Sequence, residues 1–241
     1  MEPPVIQQPH GWVILTNPEC ASDPVGPEQF EPAYWQDRGS LTGQASGRGQ
    51  VFFVDAGGEG WAVRHYQRGG LIGRFNRDRY LFTGHARVRA VREFELLRQL
   101  VRWNLPTAVP VAARYRRQGL TYTADLITRF LPHEQTLAGF LKSQNLDRDE
   151  LLQYFGRVGR TVATFLKRGV SHADLNCHNV LLSSKRVDII DLDRGRIVAP
   201  GPWRERSLKR LKRSALKVSL PHHHAAIEAC WPALRDAALA S

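Results

Sequence analysis

Val170-Ser171-His172-Ala173-Asp174-Leu175-Asn176-Cys177-His178-Asn179-Val180-Leu181-Leu182, and after it Val187-Asp188-Ile189-Ile190-Asp191-Leu192-Asp193, is the stretch from which the rest of this chain is read. Two apolar, β-branched runs, Val180–Leu182 and Val187–Ile190, have the composition of short strands that present a loop. The loop carries His172, Asp174 and Asn179, and the second run ends in Asp191. Asp and Asn beside strands often do no more than cap turns through their side-chain oxygens. A His-x-Asp or an apolar run ending in Asp is ordinary alone; the order and spacing of all four together are not.

Those four residues supply what phosphoryl transfer asks of a protein. A carboxylate must sit beside the attacking hydroxyl, and oxygen ligands must hold the magnesium ions that bridge the phosphates. Asp174 is the candidate for the first role, with Asn179 and Asp191 the candidates for the second. Their arrangement matches the catalytic and metal-binding segments of kinase-like phosphotransferases. Asp193 has three open roles: a second metal ligand, an acceptor-binding carboxylate, or a partner of Arg194 or Arg196.

Upstream, Gln50-Val51-Phe52-Phe53-Val54 and Trp61-Ala62-Val63-Arg64-His65-Tyr66 flank Gly57-Gly58-Glu59-Gly60 and read as a β-hairpin. Gly47 and Gly49, near its start, would let backbone amides approach phosphate oxygens without an intervening Cβ. The second strand bears Arg64 where a kinase pattern has a lysine, and arginine is planar and forked where lysine is a point charge. From Arg87 to Trp103 the residues Val88, Val91, Phe94, Leu97, Leu100 and Val101 recur at helical spacing. Glu93 on this helix is the candidate partner for Arg64. Glu95 is the fallback, and an exposed i,i+4 pair with a neighbouring arginine is the plain alternative for either.

The remaining segments are read more coarsely. Trp12–Leu15 is expected to be an edge strand, and Tyr34-Trp35 a packing anchor. Gln67 to Leu81, with Arg68, Arg74, Arg77 and Arg79, reads as a basic loop that is either solvated or a docking site for an anionic acceptor. Val111–Arg116 and Leu120–Thr128 are strands joined at Gly119, which brings the expected sheet to five strands. Thr128–Leu131 is the expected hinge. Leu137–Leu141 and Asp147–Arg168 are helices, the second capped by Asp147. Trp203–Leu220 is a basic amphipathic helix, open to three readings: a packed helix with a solvated face, a contact with anionic lipid, or a contact with nucleic acid. His222-His223-His224 lacks the spacing of a metal site.

Composition sets the outer limits. The 241 residues, 42% of them hydrophobic, suffice for a real core without staples. Three widely spaced cysteines fit a reducing compartment and no disulfide framework. No run approaches the ~20 apolar residues of a membrane span, and the N-terminus lacks the layout of a signal peptide. Lysine and arginine number 34 against 23 acidic residues, a net charge of +11 that points to an anionic partner.

Gly47-Arg48-Gly49, Arg64-His65-Tyr66-Gln67-Arg68-Gly69-Gly70, Arg77-Asp78-Arg79-Tyr80, His172-Ala173-Asp174-Leu175-Asn176 with His178-Asn179, and Ile190-Asp191-Leu192-Asp193-Arg194-Gly195 together resemble the bacterial 3-deoxy-D-manno-octulosonic acid (Kdo) kinase family. That family is related to the lipopolysaccharide heptose kinases within the protein-kinase-like superfamily. The resemblance spans most of the chain beyond the first forty residues and makes Arg64 the family's own choice. It implies ATP-dependent phosphorylation of the 4-hydroxyl of Kdo on lipid A, in lipopolysaccharide core synthesis. The site implied is peripheral, at the cytoplasmic face of the inner membrane, with ATP and Mg²⁺ and no nucleic-acid partner.

The expectation is therefore a two-lobed α+β kinase-like fold. Residues 1–130 would form a mostly β nucleotide-binding lobe, and residues 131–241 a helical catalytic lobe. Asp174 is expected to be catalytic, Gly47, Gly49, Arg64 and Glu93 to bind the nucleotide, and Asn179 and Asp191 to bind metal. The rivals are another acceptor (a heptose, an aminoglycoside or a protein side chain) and a non-catalytic module tethered to an anionic surface.

Overall fold

The structure, a computed structural model, describes residues 5–8, 11–21, 23–45, 51–67 and 78–240. It is α+β, mostly sheet in the N-terminal part and helical in the C-terminal part, and its contacts divide it into two compact units. One comprises residues 1–98 and 108–131, the other residues 99–107 and 132–241.

The first unit is built on strands β1 (Val5–Gln8), β2 (Trp12–Thr16), β3 (Leu41–Ala45), β4 (Val51–Asp55), β5 (Gly60–His65), β6 (Tyr80–Leu81), β7 (Pro110–Gln118) and β8 (Thr121–Arg129), with helices α1 (Pro32–Gln36) and α2 (Arg89–Arg102). The antiparallel order is β1-β2-β7-β8-β5-β4-β3, with β6 pairing the far end of β8. Eight strands replace the five expected, because Val5–Gln8, Leu41–Ala45 and the short β6 lack the apolar alternation that betrays a strand. Trp12–Thr16 is a strand but not an edge: β1 pairs with it on one side and β7 on the other.

The β4–β5 hairpin turns at Gly57 and Gly58, with φ of 74° and 90°, and β7–β8 turns at Gly119, with φ of 61°. L-residues rarely adopt these values, so glycine is required there. Period-two alternation sends Trp61 and Val63 into a core with Phe52, Val54, Val111 and Ile127. Trp35 of α1 closes this face, its ring meeting Trp61 edge to face at 6.0 Å, which fulfils the anchor expected of Tyr34-Trp35. On the same face His65 Nδ1 lies 2.6 Å from Asp125, whose other oxygen accepts from Arg114 Nε at 2.6 Å. Arg114 in turn reaches Glu31 at 2.5 Å, and Asp78 stands 3.7 Å from the far nitrogen of His65. Burying charge is tolerable only in such paired rows.

The second unit holds β9 (Gln135–Thr136), α3 (Leu137–Leu141), α4 (Arg148–Lys167), β10 (Val170–Ser171), β11 (Val180–Leu182), β12 (Val187–Ile189), β13 (Arg196–Ile197), α5 (Trp203–Val218) and α6 (His224–Leu239). Asp147 caps α4 by accepting from Glu150 N at 2.8 Å. The buried stripe of α4, including Leu151, Phe155, Val158 and Val162, packs on α6, where the backbones approach so closely that a Cβ on Gly159 would meet Leu234 O at 2.4 Å. β11 pairs with β12 and β9, and β10 with β13, so two small sheets frame the polar loop between Ser171 and Val180. Leu105–Thr107 joins this unit because Pro106 O accepts from Ile189 N at 3.0 Å and Thr107 Oγ1 donates to Ile189 O at 2.7 Å. The three cysteines are free.

Candidate active site

The polar loop of the second unit is fastened from several directions. His172, only 6% exposed, donates from Nε2 to Ile190 O at 2.9 Å and accepts the Asp174 N–H at Nδ1 at 3.1 Å. Only a neutral imidazole protonated on Nε2 satisfies both contacts. The carbonyl of Asp174 accepts from Asn179 Nδ2 at 3.0 Å and from Asn176 Nδ2 at 3.1 Å. Asp174 is thus held through its own N–H and C=O, and its exposed carboxylate projects from fixed backbone.

The same contacts bring Asp191 to the loop. Ile190 N donates to Asn179 O at 3.0 Å while Ile190 O receives His172, so the residue before Asp191 is gripped from both sides. Asp191 itself has φ of 63°, one of two positive values outside glycine among the described residues. Asp tolerates this left-handed region better than most residues, but it costs roughly 1 kcal/mol and is kept where surrounding structure insists on it. Asp174, Asn179 and Asp191 are therefore tied into one cluster. The amide of Asn179 spends its nitrogen on Asp174 O, which leaves Oδ1 as the end that could take a ligand. A carboxamide oxygen together with carboxylates is a hard donor set of the kind that suits Mg²⁺.

Helix α5 supports this loop from below. Ser214 Oγ accepts the Cys177 N–H at 3.0 Å, and Arg210 Nη1 donates to Ala173 O, next to Asp174. Burial pushes the Cys177 thiol up to about 12, which makes it a packing residue. Nothing in the sequence distinguishes Arg210 from its neighbours except its i,i+4 relation to Ser214, and the sequence reading assigns neither to the site. Arg204 also turns inward, to Leu166 O, while Lys212 pairs with Glu228 at the surface. Arg206, Lys209, Arg213 and Lys217 remain exposed along one face, with no side-chain partner among the described residues. The histidines after α5 form no metal cluster among the described residues.

In the first unit Arg64 pairs with Glu93, as the helix phase requires. Glu93 is 3% exposed, and Tyr66, 4% exposed, donates its hydroxyl to Glu93 Oε2 at 2.5 Å. Glu95 instead faces outward and pairs with the buried Arg98 at 3.3 Å, three residues on where the plain alternative had four. Tyr66 stands in the family pattern without an assigned role. Gly47, Gly49 and the arginines 68, 74 and 77 lie outside the described residues.

Residues 32–231 match the model of the lipopolysaccharide kinase (Kdo/WaaP) family. The chain belongs to that family. Relatives named 3-deoxy-D-manno-octulosonic acid kinase agree with the placement. One from Vibrio parahaemolyticus is 39% identical over 206 residues, covering 85% of this chain and 84% of the relative. One from Xylella fastidiosa (strain M12) is 39% identical over 191 residues, 78% and 74% of the two chains. One from Xanthomonas axonopodis pv. citri is 41% identical over 197 residues, again 78% and 74%. The matched span of this lipopolysaccharide kinase family includes the Arg64–Glu93 pair and the whole His172–Asp193 cluster, and it omits β1 and β2.

Proposed function

We propose that this chain is an ATP-dependent kinase that phosphorylates the 4-hydroxyl of Kdo on lipid A, in a two-lobed kinase-like fold. The sheet unit (residues 1–98 and 108–131) would be the nucleotide-binding lobe and the helical unit (residues 99–107 and 132–241) the catalytic lobe, where the sequence suggested a single division after residue 130. Phosphorylation of Kdo in lipopolysaccharide core biosynthesis follows from the family and from its named relatives. The observation that carries the mechanism is the fastening of Asp174, Asn179 and Asp191 to one another through His172 and Ile190.

In this reading Asp174 orients the acceptor hydroxyl and takes its proton late in a loose transition state. Asn179 Oδ1 and the Asp191 carboxylate would hold Mg²⁺, which when bound neutralises charge on the terminal phosphates. Arg64, anchored by Glu93, would contact the phosphates, and Gly47 and Gly49, expected from the sequence to cover them, lie outside the described residues.

The acceptor is a glycolipid, and the reading places the protein peripherally at the cytoplasmic face of the inner membrane. No helix among the described residues is long and apolar enough to cross a membrane. Four exposed cations on α5 and a net charge of +11 favour an anionic leaflet, each such cation adding about 1 kcal/mol near the surface. Binding to anionic vesicles that weakens with salt, and fails on neutral ones, is the expected result.

The deciding experiment follows label from γ-labelled ATP to Kdo-lipid A. Wild type should place it on the 4-hydroxyl of Kdo. Asp174→Asn should transfer none while still binding Mg-ATP by calorimetry. Near wild-type turnover in that variant would remove Asp174 from the chemistry.

A further inference from the structure

Tyr66 has no part in the mechanism above, yet its hydroxyl sits inside the Arg64–Glu93 contact. Two residues beyond Arg64, it shares that residue's face of the sheet, the face α2 covers. Arg64 Nη2 donates to Tyr66 Oη at 3.0 Å and to Glu93 Oε2, and Tyr66 Oη donates to that same Oε2 at 2.5 Å. Three atoms thus close a triangle in a place with little water to compete, where hydrogen bonds reinforce one another. The tyrosine ring also lies under the guanidinium, 4.7 Å from its carbon to the ring centre.

The consequence is one of orientation. Both protons of Nη2 lie in the guanidinium plane, and each has an acceptor on a different residue. A single carboxylate fixes how far the cation sits from α2; two acceptors also fix the rotation of the plane, and with it the directions of the remaining donors. A lysine ammonium turns freely about its last bond and has no plane to set. Burial, with the Glu93 charge second, raises the Tyr66 hydroxyl well above its usual range, so it stays a donor wherever the protein is folded.

We propose that Tyr66 is a positioning residue for phosphoryl transfer, whose hydroxyl sets the guanidinium plane of Arg64 and makes arginine the cation this strand requires. The inference rests on the reading of Arg64 as a phosphate contact. Tyr66→Phe keeps the ring and the burial and removes two hydrogen bonds to charged groups, one accepted from Arg64 and one donated to Glu93. It should raise KM for Mg-ATP about tenfold, leave KM for the acceptor unchanged, and lower the melting temperature by several degrees. Arg64→Lys should cost much less in the Tyr66→Phe background than in wild type, since the orientation it forfeits is already lost.

A Tyr66→Phe protein that melts lower but keeps its kinetic constants within twofold would make the hydroxyl merely structural and overturn the proposal. Fully additive losses from the two substitutions would overturn it as well. Arg64→Ala with unchanged KM for Mg-ATP would instead remove the reading of Arg64, a separate failure. Should Tyr66→Phe alone not fold, the comparison is repeated over Glu93→Gln, which leaves no buried carboxylate stranded. There a rise of about threefold in KM for Mg-ATP supports the role, and none refutes it.

Discussion

Replacing His172 tests whether the catalytic loop is held as described. The imidazole makes two hydrogen bonds, to Ile190 O and from Asp174 N, each worth about 0.5–1.5 kcal/mol net. Alanine there also enlarges a small apolar void lined by Phe165, Leu166, Val170 and Leu175, for a further cost of about 1–2 kcal/mol. The total for His172→Ala is roughly 3 kcal/mol, or a fall of about 6–12 °C in melting temperature for a chain of this size. The effect on turnover should exceed the effect on stability, because a carboxylate displaced by about 1 Å can lose ~100-fold in rate.

His172→Phe separates packing from orientation: it refills the void and makes neither hydrogen bond. It should regain about half of the lost stability and stay at least tenfold slow. Circular dichroism melting gives the first quantity, and kcat at saturating ATP and acceptor gives the second. A phenylalanine variant within threefold of wild-type kcat would show that the imidazole is not what aims Asp174, and the argument from the clamped loop would go with it.

Asp191→Gly should match or exceed wild-type stability, since glycine accepts φ of 63° freely, while Mg-dependent ATP affinity disappears; Asp191→Ala should melt lower by about 1 kcal/mol, and equal melting of the two would deny the strain. Asp125, by its hydrogen bond, raises the pKa of His65; burial opposes, the charges of Asp125 and Asp78 assist, and Arg114 opposes. That stabilisation is complete below the unfolded value near ~6.5 and fades as pH climbs through the raised folded one. The melting difference between wild type and His65→Gln should accordingly shrink from pH 6 upward, and a constant difference would argue against a charged His65. Gly159→Ala should destabilise by about 1–3 kcal/mol, because its methyl has only Leu234 O and the Ala237 side chain to push against; unchanged urea unfolding would mean that α4 and α6 stand further apart.

What could be read from the residues was whatever they encode locally. The helical period of Val91, Phe94, Leu97 and Leu100 puts Glu93 on the inward side of α2 and Glu95 outside it, and the ion pairs divide accordingly. The order His172, Asp174, Asn179, Asp191 was equally legible, since a short loop and the hairpin of β11 and β12 bring them together. Pairings across distance were not. Val5–Gln8 is half glutamine, and Leu41–Ala45 slips register at Gly43, so neither announces a strand until β2 and β4 supply its partner. Tyr66 looks like any aromatic on a strand until α2 delivers a carboxylate to its hydroxyl. Among the seven cations of α5, which ones meet a partner is decided by the polar loop at Ala173, by Leu166 of α4 and by Glu228 of α6, none of which the helix sequence contains.

Strand β1 gives the large sheet an outer margin on one side. Its four residues pair with Trp12–Leu15, a stretch that is apolar throughout. A shortened version beginning at residue 11 would leave that row open, and an apolar strand with unused amides is a template for another copy of itself. Such a protein could keep every catalytic group and still precipitate, so solubility of truncated forms would report on a segment that takes no part in the chemistry.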